Sequence, residues 1–416
     1  MPLLLWLNIS MKVIRKLVIF AMFLVVFLPM NCMARQVIIE THMENAIMVD
    51  VARRYYSVDE LKQYIDALAE HDNGTLQIHF TDDENVGIEC NFLDQTVDNA
   101  TLTDGVYYNN TNGKPFLSYA QVSDLLSYAA EREVRIVPEI DMPAHMKGFL
   151  DLARLKFGDD YVLQRYSYDD IEHSGIGWQG GDEAGNLDIY LPQGKQFAYN
   201  LLDEYTQFFS GLEHFHIGFD EYTLRPELKV EFANELYDYV SSKGFKVRMW
   251  SDAITKANVG DFNNNFEITY WGWKQADITE TNYATVPDLQ NAGFKVLITN
   301  KYYLFFVPTV ANTTDEVLAD RISKIENNWD LTEWNYNFGG TLENHDNILG
   351  AMVCNWGEES DGVSTSLITS HTIDMYRAMF PKVDVYYEVI DVPDEELEEE
   401  PVEDWLGVPD TGIVKD

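Results

Sequence analysis

The sequence predicts an α/β fold, a (β/α)8 TIM barrel in one domain. Eight short apolar runs recur along the 416 residues, and longer segments of helical periodicity lie between them. The main rival is a doubly wound nucleotide-binding sheet, and the Gly-rich phosphate loop that such a sheet carries after its first strand is missing.

The runs are Ala46 to Ala52, LQIHF (76–80), VRIVPEI (134–140), HFHIGF (214–219), FKVRMW (245–250), FEITYW (266–271), FKVLIT (294–299) and LGAMVCNW (349–356). Each is expected to be a strand followed by a helix. SVDELKQYIDALAEH opens with Ser57 and has Glu60 three residues later, a capping box. Further helices are expected from Ser118, from Pro226 to Gly244, and from Thr313. Two insertions, 81–117 and 158–191, follow strands two and three and belong to the face where barrels build their sites.

The flanks differ in composition. Residues 1–35 read as an export signal: Lys12, Arg15 and Lys16 precede the apolar run LVIFAMFLVVFL, with Ala34 beyond it. The run is too short for a stable membrane span, which implies a secreted or cell-surface protein. Residues 36–383 form the barrel domain. Residues 384–416 are an acidic tail, expected to be solvated. Its VPDTG (408–412) resembles the LPxTG signal of wall-anchored bacterial proteins, with Val408 in place of Leu.

A net charge of -40 excludes a phosphate-backbone partner, because nucleic-acid binding needs Lys and Arg to displace counterions. Three cysteines, Cys32, Cys90 and Cys354, match neither a zinc pattern nor a disulfide framework. No cofactor or metal is expected. His214 and His216 form HxH, but a lone pair of this kind is better read as a satisfied core or supporting position for His216.

The strand ends carry residues that a barrel core does not need. In order they are Arg53 and Arg54; His79, Asp82 and Asp83; Glu139, Asp141 and His145; Asp220 and Glu221; Trp250 and Asp252; Trp271 and Trp273; Tyr302 and Tyr303; Trp356 and Glu358. Carboxylates, indoles and Arg around one mouth suit a sugar, whose ring faces stack on aromatics and whose hydroxyls bind charged groups. The adjacent Asp220 and Glu221 do not suit a scheme with two carboxylates across the sugar, because neighbours on a strand point to opposite faces.

The segments MVDVARRYYSVDELKQYIDALA, LQIHFTDDEN, VRIVPEIDMPAHMKGFL, HFHIGFDEY, VRMWSD, YYL and NWGEE occur in the order found in family 20 glycoside hydrolases, which the chain resembles from about residue 46 to 360. The resemblance implies an exo-β-N-acetylhexosaminidase acting on terminal N-acetylhexosamine of an oligosaccharide or glycoconjugate. There the substrate's own acetamido carbonyl is the nucleophile, giving an oxazolinium intermediate with retention. It implies Glu221 as general acid and base, Asp220 orienting the acetamido group and Tyr303 bonding its carbonyl. It also implies Arg53 and Glu358 on ring hydroxyls, Trp250, Trp271 and Trp356 as pocket walls, and His145 with Asp82 or Asp83 supporting Glu221. A neighbouring anion and a water-poor aromatic pocket are expected to keep the acid protonated.

Two positions depart from the family. Phe219 stands where a second Gly is common, and Phe305 where an acid follows the YL pair. Phe219 and the DEY form resemble the lacto-N-biosidase and streptococcal surface hexosaminidase branches, in which a disaccharide could be the unit released, while Phe305 removes a hydroxyl ligand and leaves gluco or galacto preference open. A non-catalytic glycan-binding surface protein on the same barrel is the rival class.

Overall fold

The computed structural model describes residues 35–41, 43–162, 185–222, 226–272, 282–335, 341–383 and 386–392. The expected export signal up to residue 34, most of the second insertion, Trp273 and VPDTG lie outside them.

Eight parallel strands close on themselves. They are β1 (Glu44–Asp50), β2 (Gly74–His79), β3 (Arg135–Glu139), β4 (His214–His216), β5 (Lys246–Trp250), β6 (Glu267–Tyr270), β7 (Lys295–Ile298) and β8 (Ile348–Asn355). Each pairs with the next, and β8 returns to β1 with Ala351 opposite Asn45. All eight runs become strands, with β4 the shortest. The run HFHIGF stops being a strand at His216, so the chain turns before it reaches Asp220.

Among the described residues, and besides the single turn Asp159–Val162, the helices are α1 (Val58–Leu68), α2 (Tyr119–Glu131), α3 (Lys147–Phe157), α4 (Pro192–Phe208), α5 (Lys229–Ser242), α6 (Val286–Asn291), α7 (Lys301–Leu304), α8 (Asp315–Asn328) and α9 (Thr365–Met379). Ser57 and Glu60 cap each other's backbone amides at the start of α1, as the sequence predicts, and Ser118 and Gln121 do the same for α2. Leu61, Tyr64, Ile65 and Leu68 line the buried face of α1 at i, i+3, i+4 and i+7, each worth about 1.5–3 kcal/mol when fully buried.

The simple alternation fails in one place. No helix follows β5; turns fill residues 251–266. Asn258 accepts the Thr255 amide at 2.6 Å and Asn263 the Asn265 amide at 3.1 Å, so side chains take the donors that a helix would need. The insertion after β2 also has more order than a loop. Ala100–Thr103, Val106–Asn109 and Pro115–Phe116 form a small antiparallel sheet. Glu204 of α4 ties this insertion down by accepting the amides of Asn91 (2.5 Å) and Phe92 (2.9 Å), and it also accepts the hydroxyl of Tyr119 at the start of α2 (2.5 Å).

Outside the unit His42–Asp384, Arg35–Thr41 pairs antiparallel with Tyr386–Val392. But for Arg35, the first strand falls within the span assigned to the barrel domain, and the second falls within the tail expected to be solvated. Both are rich in β-branched residues, which favour pairing as strands.

The barrel interior is partly ionic. At its lower end Glu44 accepts both terminal nitrogens of the buried Arg248 at 2.8 and 2.7 Å, and Arg248 Nε donates to Glu267 at 2.9 Å. His214 Nε2 lies 3.2 Å from Glu267, so His214 belongs to this network. Higher up, Glu139 accepts from Gln77 at 2.8 Å and from Trp250 Nε1 at 2.7 Å. Truncating one partner in such a network strands the other charge. Arg248→Ala should lose about 3–5 kcal/mol of unfolding free energy, measured by urea titration; a loss below about 1 kcal/mol would refute the role given to this network.

Candidate functional site

The turn after β4 delivers the two adjacent carboxylates. Gly218, Phe219 and Glu221 have φ of 69°, 74° and 50°, all left-handed. Gly218 admits no side chain, because a Cβ there would stand 1.7 Å from Asp141 Oδ1. Phe219 takes the same conformation at a cost of about 1 kcal/mol or more. Its ring is fully buried against Phe232, at 6.4 Å between centroids.

Three side chains hold this turn by its amides. Gly218 N–H donates to His216 Nδ1 at 3.0 Å, Phe219 N–H to Asp141 at 3.0 Å, and Glu221 N–H to Asp252 at 2.7 Å. His216 therefore accepts at Nδ1 and faces Thr269 Oγ1 with Nε2 at 3.2 Å. Burial pushes its pKa down to about 4, which keeps it neutral. Burial likewise pushes Asp252 up to about 7, with Asp220 adding repulsion.

The turn sends the pair to different depths. Asp220 has a side chain 14% exposed, whereas that of Glu221 is 56% exposed. His145 Nε2 stands 3.8 Å from Asp220 Oδ2 and 3.7 Å from Glu221 Oε2. The expectation of a water-poor pocket around Glu221 is corrected: without substrate its carboxyl faces solvent, and the buried member is Asp220.

Behind His145 stands Asp82. Its oxygens lie 3.3 Å from His145 Nδ1, 2.8 Å from His79 Nε2 and 2.7 Å from Arg53 Nη2. Asp83 is farther from His145 at 3.8 Å and accepts the Lys147 amide, so Asp82 is the main partner. Burial alone would lower the pKa of His145, but Asp220, Asp82 and Asp83 outweigh it and raise it to about 10. For His79, burial likewise opposes, yet Glu139 and Asp82 raise the imidazole well above its ordinary value.

Arg53 is held from beneath by Asp50 at 3.1 Å and Asp82, and flanked by Glu84 at 3.1 Å and Glu358 at 4.0 Å. Asp50 also accepts the amides of Ala52, Arg53 and Gly357, joining the ends of β1 and β8. Asp50 and Glu84 escaped the sequence reading; their signal was an acid at or just past a strand end, shared with many helix caps.

The aromatics form a continuous wall. Ring centroids of Trp250 and Trp356 are 5.6 Å apart, Trp356 and Phe305 5.9 Å, and Phe305 and Trp271 6.5 Å. Phe305, in place of an acid, thus bridges two indoles. Trp250 is 1% exposed and forms the floor, its N–H spent on Glu139. Tyr303 sits half-buried on α7, whose first amides are capped by Asn300.

A raised histidine pKa adds stability that is full below the ordinary value of 6.5 and is lost as pH rises through about 10. The stability advantage of the wild type over His145→Gln should therefore shrink across that window in urea titrations at several pH values. An advantage that grows with pH would contradict a charged His145.

Residues 45–368 match the model of glycosyl hydrolase family 20, catalytic domain. Dispersin B shares the fold with a TM-score of 0.75 at 31% identity, covering 82% of this chain and 99% of that one. Among curated relatives, lacto-N-biosidase of Bifidobacterium bifidum is 24% identical over 61% of this chain and 22% of its own. Beta-hexosaminidase 1 of Coccidioides posadasii is 22% identical over 77% of this chain and 57% of its own. The chain thus spans less than two thirds of the length of either relative. The matched span takes in all eight strands but for Glu44, the first residue of β1, and every residue of the site, and the chain belongs to glycosyl hydrolase family 20.

Proposed function

We propose that the protein is a retaining exo-β-N-acetylhexosaminidase that releases terminal β-linked GlcNAc or GalNAc by substrate-assisted catalysis. The observation that carries this reading is the difference in depth between Asp220 and Glu221. A pair that flanked the scissile bond as acid and nucleophile would both face the sugar, about 5–5.5 Å apart. Here the inner carboxylate suits a group attached to the sugar, and the outer one suits the glycosidic oxygen.

In the first step Glu221 donates its proton to the glycosidic oxygen while the acetamido carbonyl oxygen attacks C1, and the aglycon leaves as an alcohol. Asp220 accepts the acetamido N–H and offsets the positive charge growing on that group; the Tyr303 hydroxyl donates to the carbonyl oxygen. In the second step Glu221 takes a proton from water, which attacks C1, opens the oxazolinium ring and restores the β configuration. An aglycon lying over Glu221 excludes water and favours the form that holds the proton. Trp250, Trp271, Trp356 and Phe305 shield the ring intermediate, and Arg53 with Glu358 holds the hydroxyls.

A second reading, release of a disaccharide, is favoured by Phe305 and by the likeness to a lacto-N-biosidase. The absent acid removes one hydroxyl ligand, and a flat aromatic there suits a second ring. The basic and apolar N-terminal segment supports action outside the cytoplasm.

Aryl glycosides test these readings. Glu221→Gln should lower kcat by about 10²–10⁴-fold, and Asp220→Asn by about 10²–10³-fold. The matching β-glucoside, which lacks the acetamido group, should not be cleaved. Its efficient hydrolysis would sink the mechanism, and no turnover of any N-acetylhexosaminide would favour a glycan-binding protein. Faster cleavage of a lacto-N-bioside than of the GlcNAc glycoside would select the second reading.

A further inference from the structure

Asp141 follows β3, is fully enclosed and has no role in the scheme above. One of its oxygens is pressed against the left-handed turn, where it accepts the Phe219 amide at 3.0 Å. Its own amide donates to Thr81 Oγ1 at 3.0 Å, which fixes it from the β2 side. Its other oxygen, Oδ2, is buried and meets no donor; the same is true of Asp220 Oδ1. Asp141, His145 and Asp220 each bring a polar atom within 4.8 Å of the others.

Two ionised carboxylates so close and so buried repel strongly, and one proton between them turns that repulsion into a hydrogen bond. The surroundings say which of them holds it. Burial raises the pKa of Asp220 as well, but Asp220 faces the imidazolium of His145, which opposes that shift and favours its charge. Asp141 faces Asp82, Glu139 and Asp220, all acidic. The nearby His79 is already engaged between Asp82 and Glu139. On the far side of the turn Asp252 is committed to the Glu221 amide.

We propose that Asp141 is a positioning residue that works as the neutral acid: it donates its proton in a hydrogen bond to Asp220 and presents Asp220, as an oriented carboxylate, to the acetamido N–H. Through its other oxygen it sets the Phe219 turn, so one side chain controls both where Asp220 lies and how it is charged. Burial, with repulsion from Asp220 and Glu139, raises the Asp141 pKa well above the usual carboxylate range, in keeping with this role. The assignment rests on the proposed task of Asp220, but the protonation itself can be observed without turnover.

The test uses the full chain. In an infrared difference spectrum at neutral pH, wild type minus Asp141→Asn, the carbonyl band of a protonated carboxylic acid should appear and shift in D2O; its absence overturns the proposal whether or not the enzyme is active. In kinetics on an aryl N-acetylhexosaminide, Asp141→Asn keeps an N–H for Asp220 and an oxygen for Phe219, so kcat should stay within about tenfold of wild type. Asp141→Leu keeps the bulk without the donor and should lose about 10²–10³-fold in kcat, with KM moving less. Equal loss in Asn and Leu variants would mean that an ionised Asp141 is required and would also overturn it. If the Leu variant does not fold, the infrared band and the Asn variant still decide.

Discussion

The site depends on one buried carboxylate, Asp82, placed among three basic side chains that come from three successive strand ends. Arg53 arrives from β1, His79 from β2 and His145 from the loop after β3. Burial alone would push the Asp82 carboxyl up, but His145, His79 and Arg53 hold it far below the ordinary range, so it stays charged. In so dry a setting these attractions are much stronger than on a surface. Each partner then acts outward: Arg53 towards Glu358, His145 towards Asp220 and Glu221, and His79 towards Glu139 and so towards Trp250. The aromatic floor, the pair Arg53 and Glu358, and the turn that carries Asp220 and Glu221 are in this way set in register from one point.

The same logic runs down the barrel. Arg248 with Glu44 and Glu267, and Glu139 with Gln77 and Trp250, occupy positions where branched aliphatics would pack at less electrostatic risk. Taking these ions out of water costs several kcal/mol each, repaid only when partners meet in one geometry. The interior therefore penalises shifts of one strand against another. A rigid mouth suits the proposed mechanism, in which the nucleophile belongs to the substrate and the protein must hold both the acid and the acetamido group in place.

Backbone strain in the site gathers in the turn after β4, with His145 (φ 52°) a further left-handed residue facing it. Three left-handed residues among four would not persist without support, and the amide contacts to His216, Asp141 and Asp252 provide it. Phe219, which departs from the family pattern, is a buried anchor: its ring offsets the conformational cost that a glycine would avoid. Phe305, the other departure, continues the wall between Trp271 and Trp356 and changes what a hydroxyl would meet there.

The sequence by itself determined the fold class, all eight strands, the helix starts at Ser57 and Ser118, and the strand-end positions from Arg53 to Glu358. Those features depend on local periodicity, capping chemistry and the rule that barrel strands end at the mouth, all of which act over a few residues. Tertiary structure alone decided which carboxylate is buried, that Asp82 rather than Asp83 is the partner of His145, and that His214 and His216 serve different networks. It also decided that β4 ends at His216, that turns replace a helix after β5, that Asp50 and Glu84 belong to the site, and that Asp141 and Asp252 hold the turn after β4 by its amides. The physical reason is distance: burial, charge pairing and the holding of a strained turn are made by side chains far apart in sequence, and a strand-end acid reads the same whether it caps a helix or sets a reaction.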